Sequence, residues 1–111
     1  QDMSLAEELS RVYLTFEDLM KIPDRVLSDV LRPMARETIA KALLTATPEL
    51  KQKVVNNVPE RFREVVTDFM ETLSDTAAEE VVKSQLEITR EIRNLARAGK
   101  IDLRKFLTGA E

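Results

Sequence analysis

Apolar residues recur at helical spacing along nearly the whole chain, and prolines at 23, 33, 48 and 59 cut that pattern into short pieces. A proline removes a backbone donor and pushes the residue before it out of helical geometry, so each one ends a helix or begins the next. Only two glycines occur, Gly99 and Gly109, both late in the chain. A sheet with several tight hairpins needs more positions of positive φ than that, and a glycine loop around a phosphate is impossible. The pattern therefore predicts an all-α fold of six to eight mostly short helices ending in one long helix.

The pieces can be read in order. Ser4 with Glu7 is a capping-box pair ahead of a stripe of Leu5, Leu9, Val12, Tyr13 and Phe16. Thr15 with Asp18 starts a short helix through Phe16, Leu19 and Met20, closed by Pro23. Val26, Leu27, Val30 and Leu31 give the next helix its inner face, with Pro23 in its first turn and Pro33 as its stop. Arg36 to Leu44 follows, with Ile39, Ala40, Leu43 and Leu44 inward. Thr47-Pro48-Glu49 is a cap, a proline at N1 and an acid at the positive end of the helix dipole; it opens a helix bearing Leu50, Val54 and Val55. Pro59 opens a helix to about Leu73 with the stripe Phe62, Val65, Val66, Phe69, Met70 and Leu73. Thr76 and Glu79 read as a further capping box before the longest helix, about Ala77 to Ala98. That helix carries Ala78, Val81, Val82, Gln85, Ile88, Ile92, Leu95 and Ala96, and Gly99 falls where a C′ glycine belongs. Asp102 caps a last turn bearing Leu103, Phe106 and Leu107, placed either to dock back on the core or to meet a partner. Short helices stacked stepwise are closer to a helical solenoid than to an up-down bundle, although no repeat of fixed period is present.

Chemistry is sparse. The chain has 111 residues with no cysteine and no histidine, so disulfides, thiolate metal sites and the commonest general base are absent. Net charge is −3, which offers no field for nucleic acid or an anionic membrane, and no apolar run reaches the ~20 residues of a membrane span. Glu60, Glu64 and Asp68 come nearest to a metal cluster, but Arg61 and Arg63 lie among them. Arg90, Arg93, Arg97 and Lys100 form a row interleaved with Glu87 and Glu91, which reads as a mixed charged face suited to a helix C-terminus; phosphate contact is the other use of such a row. The expectation is an intracellular, non-enzymatic domain without cofactor or metal that works by touching another macromolecule. The start at Gln1, without an initiator methionine, is what a piece of a longer protein would show.

Specific residues then add a resemblance. The run Phe16-Glu17-Asp18-Leu19, followed by Asp24-Arg25 and Val30-Leu31, resembles a segment of the flagellar motor switch protein FliG family. The likeness continues through Ala42-Leu43, Ala46, Leu50-Lys51, Lys53, Asn57 and Arg61, then Val81, Gln85, Ile88, Arg93, Leu95, Gly99 and Ile101, without a gap from Tyr13 to Ile101. The resemblance is to that family's C-terminal domain, an armadillo-like, six-helix unit whose charged helix faces the stator protein MotA. It implies residues 1–14 leading in, a helical domain over 15–101, and a short turn and tail over 102–111. It also implies a rotor-side interaction module at the cytoplasmic face of the flagellar basal body. The partners implied are a MotA-type stator and other rotor switch proteins or neighbouring FliG-like subunits, with neither nucleic acid nor membrane insertion.

The helix matched by Pro59–Leu73 is then the contact surface, with Arg61, Glu64 and Asp68 as partner-binding residues. Arg61 and Asp68 keep two of the family's charges, whereas Leu44, Phe69 and Ala77 stand where the family carries a lysine, a second acid and an arginine. The hinge motif before the domain reads Tyr13-Leu14-Thr15-Phe16 and keeps only its last aromatic. Loss of those charges favours an alternative role, a structural or scaffolding module that stacks on neighbouring helical domains without carrying torque.

Overall fold

Prolines and a few side-chain caps set several of the helix ends in the computed structural model, which describes residues 14–108. The expected first helix from Ser4, as far as Tyr13, lies outside the described residues, as do Tyr13 of the expected hinge motif and Gly109. Among the described residues there are seven helical elements and no strand. A 3-10 helix spans Phe16–Lys21, followed by α1 (Asp24–Leu31), α2 (Arg36–Leu43), α3 (Pro48–Asn56), α4 (Glu60–Thr72), α5 (Ala78–Arg97) and α6 (Leu103–Thr108). The all-α expectation holds, and one short helix follows the long one.

Asp18 accepts a hydrogen bond from the Thr15 N–H at 2.9 Å, the return bond of a capping box, and so starts the 3-10 helix. Thr47 caps α3 by accepting from the Leu50 N–H at 3.3 Å, with Pro48 at the helix start. Pro23 and Pro59 sit one position earlier than expected, at the N-caps of α1 and α4. The expected capping box at Thr76 is not formed: Ala77 is the N-cap of α5, because the Thr76 hydroxyl donates back to the Leu73 carbonyl at the end of α4. At the far end of α5, Gly99 adopts φ +77, a left-handed conformation that costs other residues strain. Its N–H donates to the Ala96 carbonyl at 3.0 Å and the Lys100 N–H to the Leu95 carbonyl at 2.9 Å, which together close the helix as a Schellman turn.

α2 is the centre of the molecule, packed against α4 on one side and α5 on the other. The 3-10 helix contacts α3, α5 and α6, so the chain's two described ends meet. Leu19, Ile22, Leu27, Leu43, Leu50, Val66, Ile88 and Ile92 are fully buried and join the several helices into one core. Leu103 is buried as well, and Phe106 and Leu107 pack against this core, which decides their alternative in favour of docking back.

The two long stripes are buried more narrowly than their patterns suggest. On α4 only Val66 is fully covered; Phe62, Phe69 and Met70 are half-buried against the core, and Val65 is 39% exposed. On α5, Val81, Ile88 and Ile92 are buried together with Ser84 and Thr89, while Val82 stays 50% and Leu86 49% exposed. Each helix lies on the outside of α2, and the surface offered to it is narrower than its apolar stripe.

Polar side chains tie the loops across these layers. The Lys53 ammonium donates to the carbonyls of Ile22 at 2.6 Å and Met20 at 3.1 Å, acceptors left without helical partners where Pro23 breaks the chain. Asn57 donates to Asp24 and accepts at its own carbonyl from the Ser28 hydroxyl, adding a second link between α3 and α1. Gln85 of α5 donates to the Ala42 carbonyl at 2.9 Å and so caps the last turn of α2.

Candidate functional site

The three expected contact residues share one outward face of α4. Arg61 and Asp68 are seven positions apart, close to two helical turns and a rise of about 10.5 Å, with Glu64 between them. All three side chains are exposed, and no salt bridge to a described residue ties any of them down. Elsewhere some charges are spent within the fold: Lys41 lies 3.6 Å from Glu37, and Lys53 lies 3.8 Å from Asp24. Glu60 and Glu71 extend the exposed face of α4 toward its two ends.

The rest of α4 holds that face in place. Arg63, on the same helix, is turned inward to finish α3: its guanidinium donates to the carbonyls of Val58 at 3.0 Å and Asn56 at 2.8 Å. Phe62 is half-buried beside α2, where the Arg36 guanidinium carbon sits 3.4 Å from the ring centroid. Nothing in the helical pattern distinguishes Arg63 from its outward neighbours, nor marks Arg36 at all, since both roles depend on which helix lies alongside.

At Phe69, Leu44 and Ala77, where the resemblance would place family charges, the surroundings are explicit. Phe69 packs against the core as half-buried apolar surface. Leu44 is half-buried just past the end of α2, and Ala77 is exposed at the N-cap of α5. An acid in place of Phe69 would lose that packing and require desolvation of its charge.

No group of three acidic residues is arranged to hold a metal ion among the described residues. Successive acids on α4 are separated by about 6 Å of rise per four residues, so they do not converge on one point. An open hollow of about 560 Å³ at the turn after α5 is lined by Ala96, Gly99, Lys100, Ile101, Asp102, Leu103 and Arg104. The row on α5 keeps Arg90 and Arg97 exposed and Arg93 half-buried, and Arg97 donates to the Asn94 side chain at 3.4 Å. No described helix is long and apolar enough to cross a membrane.

A stepwise stack of short helices around α2, with an exposed ionic face on an outer helix, defines an all-helical domain. The pattern of the FliG C-terminal domain matches residues 1–103, and the chain belongs to that family. The chain is 34% identical over 101 residues to the flagellar motor switch protein FliG of Thermotoga maritima, covering 91% of this chain and 30% of that relative. It is 31% identical over 103 residues to FliG of Aquifex aeolicus, covering 93% of this chain and 31% of the relative. FliG of Bacillus subtilis is 31% identical over 101 residues, again covering 91% of this chain and 30% of its own length. The chain thus spans less than a third of the length of these curated relatives.

Proposed function

We propose that this domain is the rotor-side interaction module of a flagellar motor switch, contacting a MotA-type stator protein through Arg61, Glu64 and Asp68. The observation that carries this reading is the exposed ionic face of α4, without a salt bridge to any described residue, in a domain of the FliG C-terminal family. Exposed charges add only ~0–1 kcal/mol to stability when paired, so they are better suited to steering a partner than to holding the fold. Such contacts form and break quickly, as a rotor passing a series of stator loops requires. The domain would work without catalysis, at the cytoplasmic face of the basal body, beside other rotor switch proteins or neighbouring FliG-like subunits.

Charge reversal tests it. Arg61→Glu and Asp68→Lys, each made in the intact protein in its own cell, should alter swimming or stator binding while helicity and melting stay unchanged. Wild-type swimming in both variants would refute the reading.

One observation favours a second role, stacking on a neighbouring helical domain without torque. Val82 and Leu86 lie one turn apart on α5, half exposed, beside a shallow hollow of about 90 Å³ that Leu14 and Phe16 also line. Contact through the α4 charges weakens as salt rises, whereas contact through this apolar patch does not.

A further inference from the structure

Two guanidiniums from different helices rest on one aromatic ring. The Arg36 carbon, from the start of α2, is 3.4 Å from the Phe62 centroid, and the Arg61 carbon, from the first turn of α4, is 4.6 Å from it. Since both distances meet at one centroid, the two cations are at most about 8 Å apart. Neither makes a hydrogen bond or salt bridge to another described residue, and Arg36 is half-buried.

This arrangement has a chemical consequence. A guanidinium held by a ring engages it through charge and π-face contact, and its in-plane N–H fork remains available for a carboxylate. Two like charges this close repel, so an anion beside them is favoured by both. Phe62 restricts both long side chains before any partner arrives, which lowers the entropy lost on binding.

We propose that Arg36 and Arg61, held on Phe62, form a clamp for an acidic side chain of a partner protein. Arg36 is the added residue: it brings α2 into a surface that otherwise belongs to α4 alone. The proposal rests on reading α4 as the partner surface.

The test is a titration of the 111-residue chain with hexaglutamate at low salt, followed at the arginine side-chain Nε–H resonances by NMR. Arg36 and Arg61 should shift saturably and ahead of the exposed Arg25, Arg32 and Arg90, and hexalysine should leave both unmoved. Arg36→Gln and Arg61→Gln should each weaken hexaglutamate binding about fivefold, with unchanged helicity. Phe62→Leu, which keeps apolar bulk without a ring, should weaken it too. Equal shifts at all arginines would overturn the clamp, as would inorganic phosphate binding more tightly than hexaglutamate. A saturable site in a protein whose charge reversals leave swimming unchanged would sink the stator reading alone. Altered swimming with no hexaglutamate site would sink the clamp alone.

Discussion

Replacing Lys53 with methionine isolates one long-range polar contact. Methionine keeps most of the aliphatic stem, so packing changes little and the loss is confined to the ammonium. In the native protein the Lys53 side chain is only 18% exposed, and its ammonium reaches Ile22 at 2.6 Å and Met20 at 3.1 Å. A hydrogen bond from a charged donor contributes about 1.5–3 kcal/mol, at the low end where water can take its place. The Ile22 contact is part-buried and the Met20 contact is exposed, so the first carries most of the effect. The Asp24 carboxylate, 3.8 Å away and 75% exposed, adds at most a few tenths. Lys53→Met should therefore destabilise the domain by about 2–3 kcal/mol, lowering Tm by roughly 10 °C. Urea unfolding followed by circular dichroism gives the free energy, and Lys41→Met is the control. Lys41 has ion pairs with Glu37 and Glu80 at 3.6 and 4.0 Å and no carbonyl to satisfy, so its loss should cost under about 1 kcal/mol. If Lys53→Met stays within about 0.5 kcal/mol of wild type, the carbonyls at the Pro23 break do not need their donor and the reasoning fails.

Two further substitutions test the core and the end of α5, each by the same unfolding measurement. Ile92 is fully buried between layers, so Ile92→Ala should cost about 2–5 kcal/mol, and a smaller loss would mean that α5 closes over the gap. A Cβ at Gly99 would meet nothing within 4 Å, so Gly99→Ala isolates the strain of positive φ; about 1–2 kcal/mol is expected, and no loss would show that the turn relaxes out of the left-handed region.

The elements that were legible in advance share one property: their causes lie within a few residues. Thr47-Pro48 starts α3, Gly99 ends α5, and Val26, Leu27, Val30 and Leu31 face inward together because helical spacing leaves them no other arrangement. The outward face of Arg61, Glu64 and Asp68 follows from the same spacing. Where expectation and structure part, a neighbouring element intervenes. Thr76 answers the Leu73 carbonyl rather than capping α5, and Val65 and Val82 continue apolar stripes that α2 is too narrow to cover. Arg63 sits among outward charges but turns in to the carbonyls of Asn56, the last residue of α3, and Val58 just beyond it.

By itself the order of residues determined that this chain is helical, where most helices begin and end, and that Arg61, Glu64 and Asp68 share one face of α4, because those outcomes depend on backbone capping and a 3.6-residue period. Only the tertiary structure decided that Lys53 closes a break 31 residues away, that Gln85 caps a helix 43 residues earlier, and that Arg36 shares the Phe62 ring with Arg61. Those pairings need two distant segments brought side by side, and packing of the whole core, rather than any local pattern, sets which segments meet.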